Sequence, residues 1–230
     1  AVGKRAGRHA MPQPAINAAL VAAARGNARV VRLKGGDPTI FGRLTEEMDA
    51  LRRAGIAFEV IPGVTAACAA AAAAQVSLTR RGCAQSVTFV TGHAQAGRAL
   101  DLDWPALADA RSTLALYMGK SAAREIRDGL LAHGLPSTTP VRALADVGRR
   151  EQRESMLTLG ALDTVAEAGG CGPLLILIGA AMSSAHTPAC GDSRLASQRR
   201  GDVPGGQVNT IPNVSTATNE ISQPVPAART

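Results

Sequence analysis

Aromatic residues are the scarcest feature of this chain, which has three phenylalanines, one tyrosine and one tryptophan among 230 residues. Proteins that bind single-stranded nucleic acid stack bases on aromatic side chains, and duplex readers usually carry a basic recognition helix, which is also missing here. Hydrophobic residues nevertheless make up 46% of the chain. We therefore expect a core of alanine, leucine and valine, and no nucleic-acid partner.

Long apolar runs and patterned cysteines are absent as well. The alanine-rich stretch 66–74 is far shorter than the roughly 20 apolar residues that cross a bilayer, so it predicts a buried helix. The amino terminus lacks the apolar core of a secretory signal. The cysteines show no Cys-x-x-Cys spacing, which predicts buried free thiols and no metal site: Cys68, Cys83, Cys171 and Cys190. These absences favour a cytoplasmic protein without a membrane partner.

The charge of the chain points to an anionic partner. Lysine and arginine number 25 against 18 acidic residues, a formal net charge of +7. Such an excess attracts either nucleic acid or a small polycarboxylate, and the shortage of aromatics favours the second. Simple solvation of the surface still explains most of these arginines individually.

Apolar runs alternate with helix-like segments along most of the chain, which predicts an α/β fold. The expected strands are 28–33, 58–61, 87–91, 113–118, 141–145 and 174–178. The expected helices are 14–25, 45–53, 65–74, 122–133 and 159–168. A stretch of few apolar positions, 92–102, is a candidate hinge between two lobes. From residue 187 the sequence is rich in Ser, Thr, Asn, Pro and Gly, which predicts a disordered tail over 187–230.

The most informative block is residues 32–43, Arg-Leu-Lys-Gly-Gly-Asp-Pro-Thr-Ile-Phe-Gly-Arg, which we call the signature segment. It follows an apolar run and precedes a helix-like segment, the position at which open α/β sheets bind ligands. Gly35 and Gly36 allow a ligand to approach the backbone, and Asp37 supplies a carboxylate. Taken alone, Gly-Gly-Asp-Pro could equally be a turn without chemical meaning.

The whole signature segment resembles that of the uroporphyrinogen-III C-methyltransferases, members of the S-adenosylmethionine-dependent tetrapyrrole methylases. Further matching segments occur in the family's order at 2–7, 60–66, 90–93, 117–119, 152–153 and 173–179. The resemblance implies a two-lobed α/β fold with the active site in the cleft between the lobes. It divides the chain into a first lobe over 1–92, a second lobe over 93–186, and the tail.

The resemblance also implies a reaction. S-adenosylmethionine would methylate uroporphyrinogen III at two pyrrole carbons to give precorrin-2, a precursor of siroheme and cobalamin, and no metal would be required. A homodimer is implied too. The alternatives are another tetrapyrrole methylase, a diphthine synthase, or a non-catalytic remnant that binds tetrapyrrole or a partner subunit.

Site residues follow from the resemblance position by position. The implied cofactor contacts are Gly35, Gly36, Asp37, Ile40, Thr65, Ala66, Met118 and Val147, the last at a position where the family commonly has glycine. Asp37 would accept a hydrogen bond from the cofactor, while Ile40 and Met118 would pack against its apolar parts. Lys4 aligns with a proton donor of related enzymes, although an isolated lysine is usually just solvated.

One family feature has no counterpart in this sequence. Family members begin with a Gly-x-Gly-Pro-Gly cofactor loop and a strand that carries a proton-accepting aspartate, both ahead of the segment that matches 2–7. We therefore expect the sequence to begin within the first lobe. Full activity is expected to need that upstream segment.

Overall fold

The computed structural model describes residues 11–26, 29–93, 100–165 and 172–183. Its helices are α1 (Gln13–Gly26), α2 (Leu44–Arg53), α3 (Ala66–Ala73), α4 (Trp104–Leu107) and α5 (Ala123–Ala132). Its strands are β1 (Ser86–Thr91), β2 (Ser112–Tyr117), β3 (Pro140–Ala145), β4 (Arg153–Thr158) and β5 (Leu174–Ile178). Short 3-10 helices cover Leu159–Thr164 and Ala180–Met182. None of the described helices has the length and apolar character needed to cross a membrane.

The five strands form one sheet in the order β1-β2-β5-β3-β4. β1 and β2 are parallel, whereas β5 is antiparallel to both β2 and β3. The first three strands therefore run in one direction and end at the same edge. The amino end of β5 lies at that edge too, because Tyr117 pairs with Leu175 and Ala145 pairs with Leu174.

Both faces of the sheet are covered, as the near-continuous apolar strands predict. On β2, Leu114 and Leu116 pack into a cluster with Ile126 and Leu130 of α5. Ala115, between them, belongs to a second cluster that includes the buried alanines of α3, Ala67, Ala70 and Ala71. Small side chains on α3 let its backbone approach the sheet closely, so the expected alanine-rich core and buried helix are confirmed.

Most predicted elements are found, but two predicted strands are wrong. The segments 28–33 and 58–61 form no strand among their described residues. A strand needs a neighbour to bond its backbone, and these segments pair with none of the five described strands. Their apolar side chains accordingly stay exposed, with Val31 at 78% and Leu33 at 84% of full accessibility.

Other differences follow from non-local contacts. β4 was not predicted, because it is an exposed edge strand with little apolar alternation that forms by pairing with β3. The predicted helix 159–168 begins as a 3-10 helix over Leu159–Thr164. Cys68 is exposed rather than buried, whereas Cys83 is buried, and both are free.

The predicted lobe boundary lies between residues 92 and 93. That boundary would separate β1 from its sheet, although β1 pairs with β2 over six residue pairs. The position of the boundary between two lobes stays a prediction. The predicted tail, 187–230, and Lys4 lie outside the described residues.

A test of this packing is Gly129→Ala in α5. Alanine usually favours a helix over glycine by about 1 kcal/mol. Here a Cβ at residue 129 would lie 2.6 Å from the Trp104 ring of α4, so we expect the overpacked variant to lose about 1 to 3 kcal/mol of unfolding free energy. Urea denaturation measures the change.

The matched control is Gly26→Ala in α1, where a Cβ meets nothing within 4 Å. It should leave stability unchanged or slightly raised. Equal stability of the two variants would show that Trp104 does not pack on α5 as described.

Candidate functional site

A cavity of about 590 Å³ opens at the edge of the sheet where β2 and β3 end and β5 begins. Most of its lining is apolar. It is lined by Ala66, Tyr117, Met118, Lys120, Ser121, Leu144, Val147, Gly172, Pro173, Leu174 and Leu175. Its size and its few polar groups are typical of small-molecule sites.

Two strands reach this edge through strained residues. Met118 directly follows β2 and Asp146 directly follows β3, and each has a φ of 53°. Residues with side chains rarely adopt this left-handed conformation, and such strain concentrates at ligand sites. The backbone N–H of Asp146 donates to the Pro173 carbonyl at 2.9 Å, which fixes the turn against the start of β5. Both turns therefore shape the cavity rim.

The signature segment packs against the loop that precedes α3. A Cβ at Gly63 would lie 2.5 Å from the carbonyl oxygen of Gly36, so the two loops approach too closely for a side chain there. A Cβ at Gly36, whose φ is +74°, would lie 3.7 Å from the backbone nitrogen of Ala66. The signature segment thus lies beside the residues that lead into the cavity.

Asp37 joins these two loops. One carboxylate oxygen accepts hydrogen bonds from the hydroxyl and the backbone N–H of Thr39, and the other accepts from the backbone N–H of Gly63 at 3.1 Å. The Thr39 hydroxyl, the Thr39 N–H and the Gly63 N–H hold the pKa of Asp37 below its ordinary value. The carboxylate therefore stays ionised, and its role within the protein is to shape the loop.

Tyr117 connects the sheet to the same loops. The hydroxyls of Tyr117 and Thr65 share a hydrogen bond of 2.6 Å, and the backbone N–H of Ala67 donates to the Tyr117 oxygen at 3.0 Å. The Tyr117 ring lies 4.9 Å from the ring of Phe41 in the signature segment and 5.9 Å from that of Phe89 on β1. The chain's single tyrosine thus contacts the signature segment, the start of α3 and β1.

The structure brings together many of the residues that the resemblance singled out. Ala66, Met118 and Val147 line the cavity, and Thr65 reaches it through Tyr117. Gly36 and Asp37 lie beside the loop that enters α3. Gly35 and Ile40 are not among the lining residues, and Lys4 lies outside the described part. Their cofactor contacts stay predictions.

Sequence reasoning missed several contributors to this site. Lys120 and Ser121 line the cavity, and Asp146 supports its rim. The signal available was position, since each directly follows a recognised strand or its Met-Gly turn. The glycine expected at Val147 is found one residue later, at Gly148, where φ is +77°.

Glu47 on α2 anchors the amino-terminal flank of the signature segment. Its side chain is 3% exposed and bonds Lys34 at 2.8 Å, Arg32 at 3.2 Å and Gln13 of α1 at 3.2 Å. Burial alone would raise the pKa of Glu47, but the bonds from Lys34 and Gln13 and the charges of Lys34 and Arg32 lower it below 4.5. The side-chain amide of Gln13 is therefore occupied by a hydrogen bond within the protein.

Taken together, these features define an α/β protein with a ligand cavity at the carboxyl ends of its parallel strands, bordered by two close-packed glycine loops. Among the described residues no three His, Cys, Asp or Glu side chains are grouped to hold a metal ion.

The chain belongs to the tetrapyrrole (corrin/porphyrin) methylases, whose family pattern matches residues 1–163. It is 49% identical over 179 residues to a siroheme synthase of Gluconacetobacter diazotrophicus, an alignment that covers 77% of this chain and 38% of that protein. The chain thus spans well under half the length of that relative. The family predicted from the signature segment is confirmed.

Solved structures show the same fold. Uroporphyrin-III C-methyltransferase of Thermus thermophilus, complexed with S-adenosylhomocysteine, matches with a TM-score of 0.62 and 33% identity over 74% of each chain. A cobalt precorrin-4 methyltransferase matches with a TM-score of 0.67 and 27% identity over 78% of this chain and 74% of that one.

The bonds of Glu47 with Arg32, Lys34 and Gln13 predict a pH-dependent contribution to stability. Because folding lowers the pKa of Glu47, its contribution is full above the ordinary value of 4.5 and is lost as pH falls through the lower, folded value. Glu47→Gln should lower the unfolding free energy at neutral pH by about 1 to 3 kcal/mol and flatten its decline below pH 4.5. Urea titrations at a series of pH values test this.

Glu46→Gln serves as the control, because Glu46 is 47% exposed and pairs only at the surface with Arg43. It should change stability by well under 1 kcal/mol. An equally large loss in both variants would contradict the special role of Glu47.

Proposed function

We propose that this chain carries the cofactor-binding cavity of a uroporphyrinogen-III C-methyltransferase. The reaction transfers methyl groups from S-adenosylmethionine to two pyrrole carbons and yields precorrin-2. One observation carries the proposal: Ala66, Met118 and Val147, which lie far apart in sequence, line one cavity beside the signature segment. Greater identity to the Thermus uroporphyrin enzyme than to the precorrin-4 enzyme, 33% against 27%, favours this substrate.

The residues of the cavity fit an adenosyl group. The lining is mostly apolar and includes Ala66, Val147 and Leu175, which suit a flat heterocycle. Ser121 and the strand-end backbone offer a few polar partners for the ribose. When bound, S-adenosylmethionine supplies an electrophilic methyl group, and the protein supplies position and shelter from water.

Individual residues have separate roles in the proposal. Asp37 keeps acceptor capacity beyond its three internal hydrogen bonds, since an ionised carboxylate has about four lone-pair sites, and it orients a donor group of the cofactor. Met118, a residue held in a left-handed turn and 48% exposed, covers the apolar part of the cofactor. Lys4 remains the proposed proton donor.

The proposed substrate explains the positive charge of the chain. Uroporphyrinogen carries eight carboxylate arms, and the net charge of +7 attracts such an anion. Lys120 at the cavity lining adds a cation beside the proposed reaction site. Attraction of this kind weakens as salt rises through the physiological range.

A direct test combines cofactor binding and methyl transfer. We expect S-adenosylhomocysteine to bind the chain, and Asp37→Ala to weaken this binding by about 1.5 to 3 kcal/mol, the range for losing a hydrogen bond to a charged group. Isothermal titration calorimetry measures the affinity. Formation of precorrin-2 from uroporphyrinogen III, followed by absorbance, tests the reaction itself.

Asp49→Ala is the matched control, because Asp49 is an exposed carboxylate of α2 that pairs with Arg52. It should bind S-adenosylhomocysteine as the wild type does. Unchanged affinity in a folded Asp37→Ala protein would remove Asp37 from the site. Absence of any binding by the wild-type chain would instead favour a non-catalytic remnant.

A cytoplasmic homodimer is the last part of the proposal. Exposed apolar residues support a partner surface. They lie around the start of the signature segment and in the loop that precedes α3: Val31, Leu33, Ile61 and Val64. Sedimentation velocity at tens of micromolar should show a dimer, and deletion of 187–230 should leave it unchanged. A compact monomer under these conditions would contradict the proposal.

A further inference from the structure

Tyr117 holds the start of α3 in an unusual way. Helices usually begin with a side chain of the N-cap residue that accepts from the first backbone N–H groups. Here the N-cap is Thr65, and its side chain makes no such bond. The N–H of Ala67 instead donates to the Tyr117 hydroxyl at 3.0 Å, while the Thr65 hydroxyl bonds the same oxygen at 2.6 Å. A strand 50 residues further along the chain therefore caps this helix.

The ring of Tyr117 acts on a second segment. It packs on Phe41, which belongs to the signature segment and has a left-handed φ of 50°. The ring also lines the cavity between Ala66 and Met118, the next residue in sequence. One side chain thus contacts the signature segment and the start of α3 and directly precedes Met118, which are three of the four segments that carry the predicted cofactor contacts.

We propose that Tyr117 is the positioning residue of this site: its hydroxyl fixes Thr65 and Ala66, and its ring fixes the signature segment, in register with Met118. The inference rests on the proposed cofactor site. In this inference the phenol sets the distance between Ala66 and Met118 across the cavity. This role differs from that of Asp37, which is proposed to contact the cofactor directly.

A variant of Tyr117 can distinguish an effect on ligand affinity from an effect on the stability of the fold. In Tyr117→Phe the ring contacts with Phe41 and Phe89 remain. The freed Thr65 hydroxyl can turn to cap α3 in the ordinary way, because threonine is a good N-cap residue. Helix α3 therefore keeps a cap, but Thr65 and Ala66 lose their tie to β2. Affinity should fall while the fold persists.

The test is calorimetric titration of Tyr117→Phe with S-adenosylhomocysteine. We expect the dissociation constant to rise about three- to tenfold, the loss of one or two hydrogen bonds, with an unchanged number of sites per chain and a melting temperature close to that of the wild type. A merely structural residue would lower the melting temperature or the number of sites and leave the dissociation constant of the folded fraction unchanged. That result would overturn the inference.

Thr113→Val is the matched control, since it removes another hydroxyl from β2. Among the described residues the Thr113 hydroxyl is buried without a hydrogen-bond partner, and it is absent from the cavity lining. This variant should bind as the wild type does. An equal loss of affinity in both variants would show a general effect on β2 and overturn the role of Tyr117.

A second readout needs no variant. Tyr117 is the only tyrosine of the chain, and the single tryptophan, Trp104, does not line the cavity. Binding of S-adenosylhomocysteine should shift the long-wavelength edge of tyrosine absorption, beyond the adenine band. Binding without this shift would overturn the inference, whereas a wild-type chain that binds nothing would refute the proposed function.

Discussion

The contact between the Tyr117 hydroxyl and the start of α3 joins the sheet to the glycine loops, and the arrangement of the cavity depends on it. β2 is a central strand with Leu114, Ala115 and Leu116 almost fully buried, so its end has a fixed position. The phenol carries that position to Thr65 and Ala67. Met118 directly follows Tyr117, adopts a left-handed turn and lines the same cavity.

Most of the few aromatic residues are concentrated at one place in the fold. Three of the five aromatic residues, Phe41, Phe89 and Tyr117, pack together at the carboxyl edge of the sheet. Elsewhere the core consists mainly of alanine, leucine, isoleucine and valine. Aromatic rings contribute large contact areas with few rotatable bonds, so this cluster suits a place where three separate segments must meet in a defined arrangement.

Two carboxylates organise the signature segment by different means. Glu47 is buried and stabilised by the cations of Arg32 and Lys34, which fixes the entry to the segment. Asp37 is more accessible and is stabilised by neutral donors, the hydroxyl and N–H of Thr39 and the N–H of Gly63. The first therefore contributes mainly to stability, whereas the second leaves its carboxylate beside the residues that lead into the cavity.

The sequence by itself determined the α/β class, helices α1, α2, α3 and α5, the four more apolar strands and the family, because these depend on local periodicity and on a motif of adjacent residues. Tertiary structure decided what depends on distant partners. Residues 29–33 and 58–61 read as strands yet pair with no described strand, while the polar β4 is a strand because β3 lies beside it. The roles of Tyr117 and Glu47 are of the same kind, since Tyr117 bonds a residue 52 positions away and Glu47 bonds one 34 positions away. Hydrogen bonds over such separations form only once the chain is folded, and no local pattern of residues records them.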